Sequence, residues 1–311
     1  MAKGCCYFEA CVSLEIGGRE RQPSMILNLQ ILIQSLAMGS LWAMGALATD
    51  VILRAMGRVH MALGHWFVLS ALSLAWIKEK LPHVSVSILL LMAFGAGAIL
   101  GYLSHPPILW QGMREERSKE GFFLFTLGGA LILEFLMEHL FPLPGVPVGR
   151  GSIHLAEELF VSPWVLWAIV SSLAVVLCAW AFLRKAKMGI ALRAWDGGSE
   201  DLTIVGVNPA SLGRGICTVS LAIVFLSGAL AGSIHSMNFH EGLLWMSSFL
   251  LIAIVSRGLR PMEVLATAWA MGFGEAMVSQ TMGPKWQTSF PPLVLLVVLG
   301  LTRGQNRRFS L

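Results

Sequence analysis

Long apolar runs follow one another through most of the chain, and they constrain its fold more than any other feature. A membrane-spanning helix needs about 20 mostly apolar residues, and nine stretches have about that length and character. Their apolar residues are not confined to one stripe, as they would be on an amphipathic surface helix. The nine stretches are roughly 26–49, 61–77, 85–104, 121–141, 163–183, 215–236, 239–256, 262–282 and 287–302.

The composition excludes a water-soluble domain of this size. Hydrophobic residues make up 56% of the 311 residues and charged residues only 13%, which is about half the charged share of ordinary soluble domains. In lipid, every backbone N–H and C=O group must be paired within the protein, so these stretches should be helices. We therefore predict an all-α fold, a polytopic bundle of about 8–10 transmembrane helices.

Polar segments set the expected domain limits. Cys5, Cys6 and Cys11 lie in a polar leader without zinc-finger spacing or the order of a secretory signal, while Cys178 and Cys217 read as small buried apolar residues. The start of the chain is either Met1 or Met25, since an apolar stretch begins right after Met25. We expect a leader at 1–24, a transmembrane domain at 25–303 with a cytoplasmic loop at 184–214, an irregular external connection at 142–162 and a cytoplasmic tail at 304–311.

Lysine and arginine predict the orientation of the bundle. If the 184–214 loop faces the cytoplasm, most of the 22 basic residues lie on that side, as the positive-inside rule requires. The N-terminus is then outside and the C-terminus inside, whereas a re-entrant 50–65 stretch would place the N-terminus inside. The basic residues form short clusters between apolar runs rather than a patch with interleaved aromatics, so we expect no nucleic-acid partner.

Motifs of the common membrane-associated enzymes are absent from the sequence. It contains neither the G-x-x-x-x-G-K-[ST] loop of ATP-binding proteins nor the His-Glu-x-x-His of zinc proteases. The nearest match to a rhomboid-like serine motif, Phe225-Leu226-Ser227-Gly228, lacks the first glycine. We therefore expect no catalytic residue, metal or cofactor in this chain, and any ATP hydrolysis would belong to a partner subunit.

The 184–214 loop carries the most informative pattern. Met188-Gly189 is followed by Leu192-Arg193-Ala194, a polar interval, Gly206 and Asn208, and a span containing two glycines four residues apart. This order resembles the cytoplasmic loop of branched-chain amino acid permeases, the membrane subunits of ABC importers for amino acids. In that family the loop docks into a groove on the ATPase subunit. The resemblance implies an ATPase-coupling role for Met188, Gly189, Leu192, Arg193, Ala194, Gly206 and Asn208.

Two further segments extend the resemblance. Gly39-Ser40 lies in a first span rich in Gly-Ser and Ala-Leu steps, as in the family. The family's Asn-x-Ala-His-Gly-Glu signature is matched by 60–65, where Ala62 and Gly64 agree but His60, Leu63 and His65 replace Asn, His and Glu. The end of the chain resembles the family at Gly258-Leu259, Pro261, Gly272 and Glu275, but Ser256 and Arg257 stand where it usually has glycines. The translocation path suggested by these matches contains Gly39, Ser40, His60, Gly64, His65 and Glu275.

Polar residues within apolar spans allow two interpretations each. A charged group at mid-bilayer costs about 2.5–3.5 kcal/mol. Glu134 and Glu275 therefore either serve the path, by lining it or by binding a substrate ammonium, or are paired carboxyls that fix helix packing. The i,i+4 spacing of Asp50 and Arg54 predicts an ion pair. His240 and Glu241 read as solvated residues at the outer end of a span. Gly97/Gly101 and Gly228/Gly232 have the spacing of helix-packing glycines.

The resemblance implies a transport function with several partners. The chain would be the permease subunit of an ABC importer in the plasma membrane, carrying branched-chain or related amino acids, or small amides such as urea. Its partners would be a homologous or identical permease, two cytoplasmic ABC ATPase subunits, an extracytoplasmic solute-binding protein and the lipid bilayer. A ribose-type sugar permease and a stand-alone channel or secondary transporter remain as alternatives.

Overall fold

Ten α-helices make up most of the described chain. The computed structural model describes residues 24–56, 59–104, 118–141, 153–156, 159–194, 208–256, 260–283, 286 and 289–306. The predicted all-α bundle is confirmed, with one short addition, an antiparallel hairpin that pairs Ile153 with Val161. The elements are α1 Ser24–Met56, α2 Leu63–Lys80, α3 Val86–Leu103, α4 Ser118–Leu140, β1 Ile153–Ala156, β2 Leu159–Val161, α5 Pro163–Lys185, α6 Lys187–Ala194, α7 Pro209–Ile234, a 3₁₀ turn Phe239–Glu241, α8 Gly242–Val255, α9 Pro261–Met282 and α10 Phe290–Asn306.

Five of the described helices are long and apolar enough to cross a bilayer. They cover Leu29–Ala55, Val86–Leu103, Gly121–Leu140, Pro163–Lys185 and Ser211–Ile234. The other predicted spans correspond to α2, α8, α9 and α10, which are shorter or less apolar. The chain is thus a multi-pass membrane protein in which some apolar stretches form shorter or more polar helices packed among the long ones.

Several helices run further than the apolar patterns predict. The first span is predicted to end at residue 49, but α1 continues to Met56, and Asp50 and Arg54 pair along this continuation at 2.9 Å. The segment between α5 and α7 is shorter than the predicted 184–214 loop, because α5 reaches Lys185 and α7 begins at Pro209. At the other end, α10 runs to Asn306, three residues into the predicted tail. The leader lies outside the described residues, apart from the start of α1 at Ser24.

Helices α1 and α7 form the centre of the bundle. Among the described elements, α1 packs against α5, α7, α8 and α9, and α7 packs against α1, α2, α3 and α5. Residues 39–50 of α1 are buried without a break, as expected for a helix that is apolar on all sides. Of the two cysteines assigned to the interior, Cys217 on α7 is buried but Cys178 on α5 is exposed, because α5 turns part of its surface outward.

Glycines set the contacts of α7 with its neighbours. Gly228 lies against the carbonyl oxygen of Phe67, and a Cβ at Gly232 would lie 2.8 Å from the carbonyl oxygen of Ala71. The residue numbers of both partners increase from the first contact to the second, so α2 and α7 run in the same direction. On the other side, Cβ atoms at Gly97 and Gly101 of α3 would lie 2.6 Å from the backbone oxygens of Leu221 and Cys217, so α3 and α7 are antiparallel. Both predicted glycine pairs are helix-packing sites.

Contacts of α1 give its direction. The hydroxyl of Ser227 donates to the carbonyl oxygen of Leu41 at 2.9 Å, and Ala37 packs in one cluster with Ile234. Helix α1 is therefore antiparallel to α7 and, by the contacts above, to α2. The distribution of basic residues predicts that the two helices on either side of residues 57–62 cross the membrane in opposite directions. The antiparallel packing of α1 and α2 agrees with this prediction. Which end faces the cytoplasm stays a prediction.

Substitution of a packing glycine tests the importance of close helix approach. We expect Gly228→Ala to destabilise the protein by about 1–3 kcal/mol, because the new Cβ would collide with backbone that cannot move freely. Gly215→Ala on the same helix is the control, since no atom lies within 4 Å of its Cβ position. The control should be neutral or about 0.5–1 kcal/mol more stable. Thermal melting in detergent measures both, and equal behaviour of the two variants would contradict the packing role.

The Asp50–Arg54 pair generates a second test. Asp50 is fully buried and the Arg54 side chain is 20% exposed, and both take part in further interactions. Removing one partner of a buried pair leaves the other charge uncompensated, so Asp50→Asn should cost about 3–5 kcal/mol of stability. Glu263→Gln breaks the exposed Arg260–Glu263 pair and should leave the melting temperature nearly unchanged. An unchanged melting temperature in Asp50→Asn would contradict a structural role of the pair.

Candidate functional site

Helix α6 folds back against the end of α5. Ala186 has extended backbone between the two helices, and its N–H donates to the carbonyl oxygen of Phe182 at 3.0 Å. Gly189 is buried against that same carbonyl oxygen and the Cα of Leu183. A side chain at residue 189 would push the two helices apart, so this glycine fixes the angle between α5 and α6.

The residues of α6 differ in exposure. Gly189, Ala191 and Leu192 are buried, whereas Met188 is 55% exposed and Ile190 is 50% exposed. Basic residues Arg184, Lys185 and Lys187 lie exposed in the chain around these two apolar side chains, and the guanidinium of Arg184 stacks over the ring of Trp180 at 4.5 Å. Exposed apolar side chains flanked by cations occur at protein-docking and at membrane-contacting sites. We call Met188 and Ile190 the exposed face of α6.

The other predicted coupling residues frame this helix. Arg193 and Ala194 form its last turn, although the structure does not describe their side chains. Gly206 lies outside the described residues. Asn208 directly precedes α7 and its carbonyl oxygen accepts the N–H of Leu212 at 3.1 Å.

Three predicted path residues lie along the contact between α1 and α9. A Cβ at Gly39 would lie 2.6 Å from the carbonyl oxygen of Ala268. Ser40 is fully buried and accepts the indole N–H of Trp269 at 3.0 Å. Glu275, which is 6% exposed and engaged in further interactions, follows Gly272 by one turn of α9. The structure therefore places Gly39 and Ser40 in a closely packed interface with α9, and Glu275 is buried on α9 one turn beyond the packing residue Gly272.

The remaining three path residues lie around the start of α2. His60 precedes the helix and meets the ring of Phe122 edge-on at 6.0 Å, and burial lowers the pKa of its imidazole to about 4, so it is neutral near pH 7. Gly64 lies against the carbonyl oxygen of Gly242, the first residue of α8. His65 is fully buried in the first turn. Two helix N-termini, those of α2 and α8, thus meet at this place.

A carboxylate from α4 completes this second group. One oxygen of Glu134 lies 3.3 Å from Nε2 of His65, and its other oxygen lies 2.5 Å from Nδ1 of His240 in the 3₁₀ turn. Sequence reasoning treats His240 as a solvated end residue and misses this bond, because 106 residues separate the partners and no local pattern links them. Glu134 is a paired carboxyl, as the structural interpretation of this residue predicts. We call His65, Glu134 and His240 the carboxylate bridge.

The structure brings the candidate residues into three places rather than one. Gly39 and Ser40 lie between α1 and α9, with Glu275 on α9 nearby in the chain, the carboxylate bridge joins α2, α4 and the 3₁₀ turn, and the exposed face of α6 lies beyond the end of α5. In the described part of the chain, no three His, Cys, Asp or Glu side chains could hold a metal ion.

Comparison with known proteins gives one match. Residues 31–299 match the family model described as branched-chain amino acid transport system / permease component. A search of curated proteins and a search of solved structures each give no match. The matched region runs from α1 to α10 and includes the residues of all three places described above. The chain therefore belongs to the family of permease components of branched-chain amino acid transport systems.

Proposed function

We propose that this chain is the membrane-spanning permease subunit of an ABC importer in the plasma membrane. It would translocate branched-chain or related amino acids, or small amides such as urea, and separate ATPase subunits would drive it. Family membership supports the transport role. The docking of α6 on α5, with an exposed apolar face, is the single structural observation that supports coupling to another subunit.

Helix α6 has the properties of a mechanical coupling element. Its buried residue Gly189 allows backbone contact with α5, so a displacement of α6 passes to α5 without slack in a layer of side chains. Helix α5 in turn contacts α1, α7 and α9, which include both sides of the α1–α9 interface. A force on α6 therefore has a direct route to the predicted path residues on α1 and α9.

The proposal assigns each partner to a surface or a role. Two cytoplasmic ABC ATPase subunits would bind the α6 helices of a pair of homologous or identical permeases. An extracytoplasmic solute-binding protein would deliver the solute to the opposite side, where α2 ends in Lys78 and Lys80. Because ATP hydrolysis resides in the partner subunits, this chain itself is not an enzyme and needs no cofactor.

Variants of the exposed α6 face test the coupling. In Met188→Ala/Ile190→Ala the permease fold should persist, since both side chains are about half exposed, while ATP-driven uptake should fall about tenfold or more through loss of apolar interface contacts. Uptake and ATPase activity are measured in proteoliposomes that contain the permease, its ATPases and its binding protein. Gly189→Val should have the same effect, because it separates α6 from α5.

Ile99→Ala provides the matched control. Ile99 is an apolar side chain of similar exposure, 62%, on α3, which the proposal assigns to no partner. It should leave uptake and the amount of co-purified ATPase unchanged. Full uptake and full ATPase co-purification in both α6 variants would contradict the proposed docking surface.

A further inference from the structure

We propose that Glu134 binds the ammonium group of the transported solute, with His240 as its exchangeable partner in the empty protein and His65 as its positioning residue. The proposal rests on the transport function proposed above and narrows its solute class. It favours solutes that carry a primary ammonium, such as free amino acids, over neutral amides and sugars. It adds α4 and the 3₁₀ turn to a path that the sequence places on α1, α2 and α9.

Glu134 differs from the two buried acidic residues of the described helices. Asp50 is fully buried and paired with Arg54, whose charge is permanent. Glu275 is 6% exposed and follows Gly272, which packs against α1, by one turn. The side chain of Glu134 is 23% exposed and contacts two imidazoles, one of which is itself exposed. It is therefore a partly exposed carboxylate whose described partners carry no permanent charge.

His65 holds the carboxylate in place without neutralising it. Its side chain is fully buried, and its ring packs closely against Gly242, where an added Cβ would lie only 2.6 Å from the ring. Nδ1 of His65 is buried with no hydrogen-bond partner. A proton there would leave an unsatisfied buried N–H, so the ring is neutral, with its proton on Nε2, and it donates to Glu134. The negative charge of the carboxylate is thus kept and oriented.

His240 is the partner that can leave. Its side chain is 64% exposed, and it lies in the 3₁₀ turn of three residues, Phe239–Glu241, that precedes α8. A primary ammonium carries a full charge and three N–H donors. The carboxylate already makes a charge-assisted hydrogen bond with the imidazole, but an ammonium adds the attraction between two opposite charges. An ammonium group would therefore displace a neutral His240 imidazole from the carboxylate oxygen.

The position of Glu134 connects it to the predicted path. Helix α4 runs along the start of α2: Thr126 accepts the N–H of Met61 at 3.4 Å, and Glu134 meets His65 two turns further along α4. The carboxylate therefore lies next to His60, Gly64 and His65, the part of the predicted path that belongs to α2. It also lies within the Gly121–Leu140 membrane span, where an acidic residue is a functional-site hypothesis by default.

A purely structural bridge makes a different prediction. If Glu134 served only to hold α4 against α2 and the 3₁₀ turn, removing either Glu134 or His240 would weaken the protein and its ligand binding in the same direction. If His240 competes with the solute for the carboxylate, the two removals act in opposite directions. The sign of the His240 effect therefore separates the two roles.

The test uses the purified permease–ATPase complex and three probes that share the isobutyl group of leucine. L-Leucine has an ammonium and a carboxylate, 3-methylbutylamine has only the ammonium, and 4-methylpentanoate has only the carboxylate. Isothermal titration gives the Kd of each probe. In Glu134→Gln we expect the Kd of leucine and of the amine to rise about tenfold or more, and in His240→Gln we expect both to fall.

Further variants guard against loss of folding. Glu134→Asp keeps the charge and should bind the amine better than Glu134→Gln does. Glu138→Gln, one turn further along α4 and exposed, should match the unmodified complex with all three probes. Melting temperatures of all variants identify any that do not fold.

Several results would overturn the proposal. These are unchanged amine binding in Glu134→Gln, weaker binding in both Glu134→Gln and His240→Gln, or no binding of leucine and the amine by the unmodified complex. Failure of the proposed function has a different signature, since a complex without ATP-driven uptake could still bind the amine through Glu134. The two conclusions are therefore tested separately.

Discussion

Close backbone contact between helices is the constraint on which this structure depends. In lipid, apolar side chains gain little by meeting each other, so helices associate through packing at small residues and through hydrogen bonds. Gly97, Gly101, Gly228 and Gly232 let α2 and α3 approach α7, while Gly39 and Gly272 let α1 approach α9. These contacts hold α1 and α7 at the centre and fix the relative directions of their neighbours.

Polar groups inside the bundle follow from the same environment. Because lipid offers no hydrogen bonds, serines of the central helices donate to carbonyl oxygens of neighbouring helices, as Ser70 does to Phe225 and Ser227 does to Leu41. Charged residues are paired, with Asp50 on Arg54 and Glu134 between His65 and His240. The Asp50–Arg54 pair lies within one helix, and the charge of its arginine is permanent. The Glu134 bridge joins three separate segments through titratable partners, which makes it the more adaptable of the two.

The transport proposal unites two parts of the molecule with different requirements. Coupling needs a stiff connection, which Gly189 provides by placing α6 on the backbone of α5. Solute passage needs contacts that can be exchanged, and the carboxylate bridge has an exposed imidazole at one end. Helix α5 contacts both α1 and α9. Under the transport proposal, movement of α5 would therefore carry force from α6 to the α1–α9 interface.

The sequence by itself determined the membrane class, the helical fold and most helix positions, because apolar length and the need to pair backbone groups act locally along the chain. It also predicted the Asp50–Arg54 pair and the packing glycines, whose spacings of four residues are local. The continuation of α1 to Met56 and the 153–161 hairpin depended on contacts beyond the apolar pattern. Only the tertiary structure decided that His65, Glu134 and His240 meet, and that Gly39 and Ser40 pack against Ala268 and Trp269. Contacts between residues far apart in the chain depend on how helices pack, and no local periodicity encodes them.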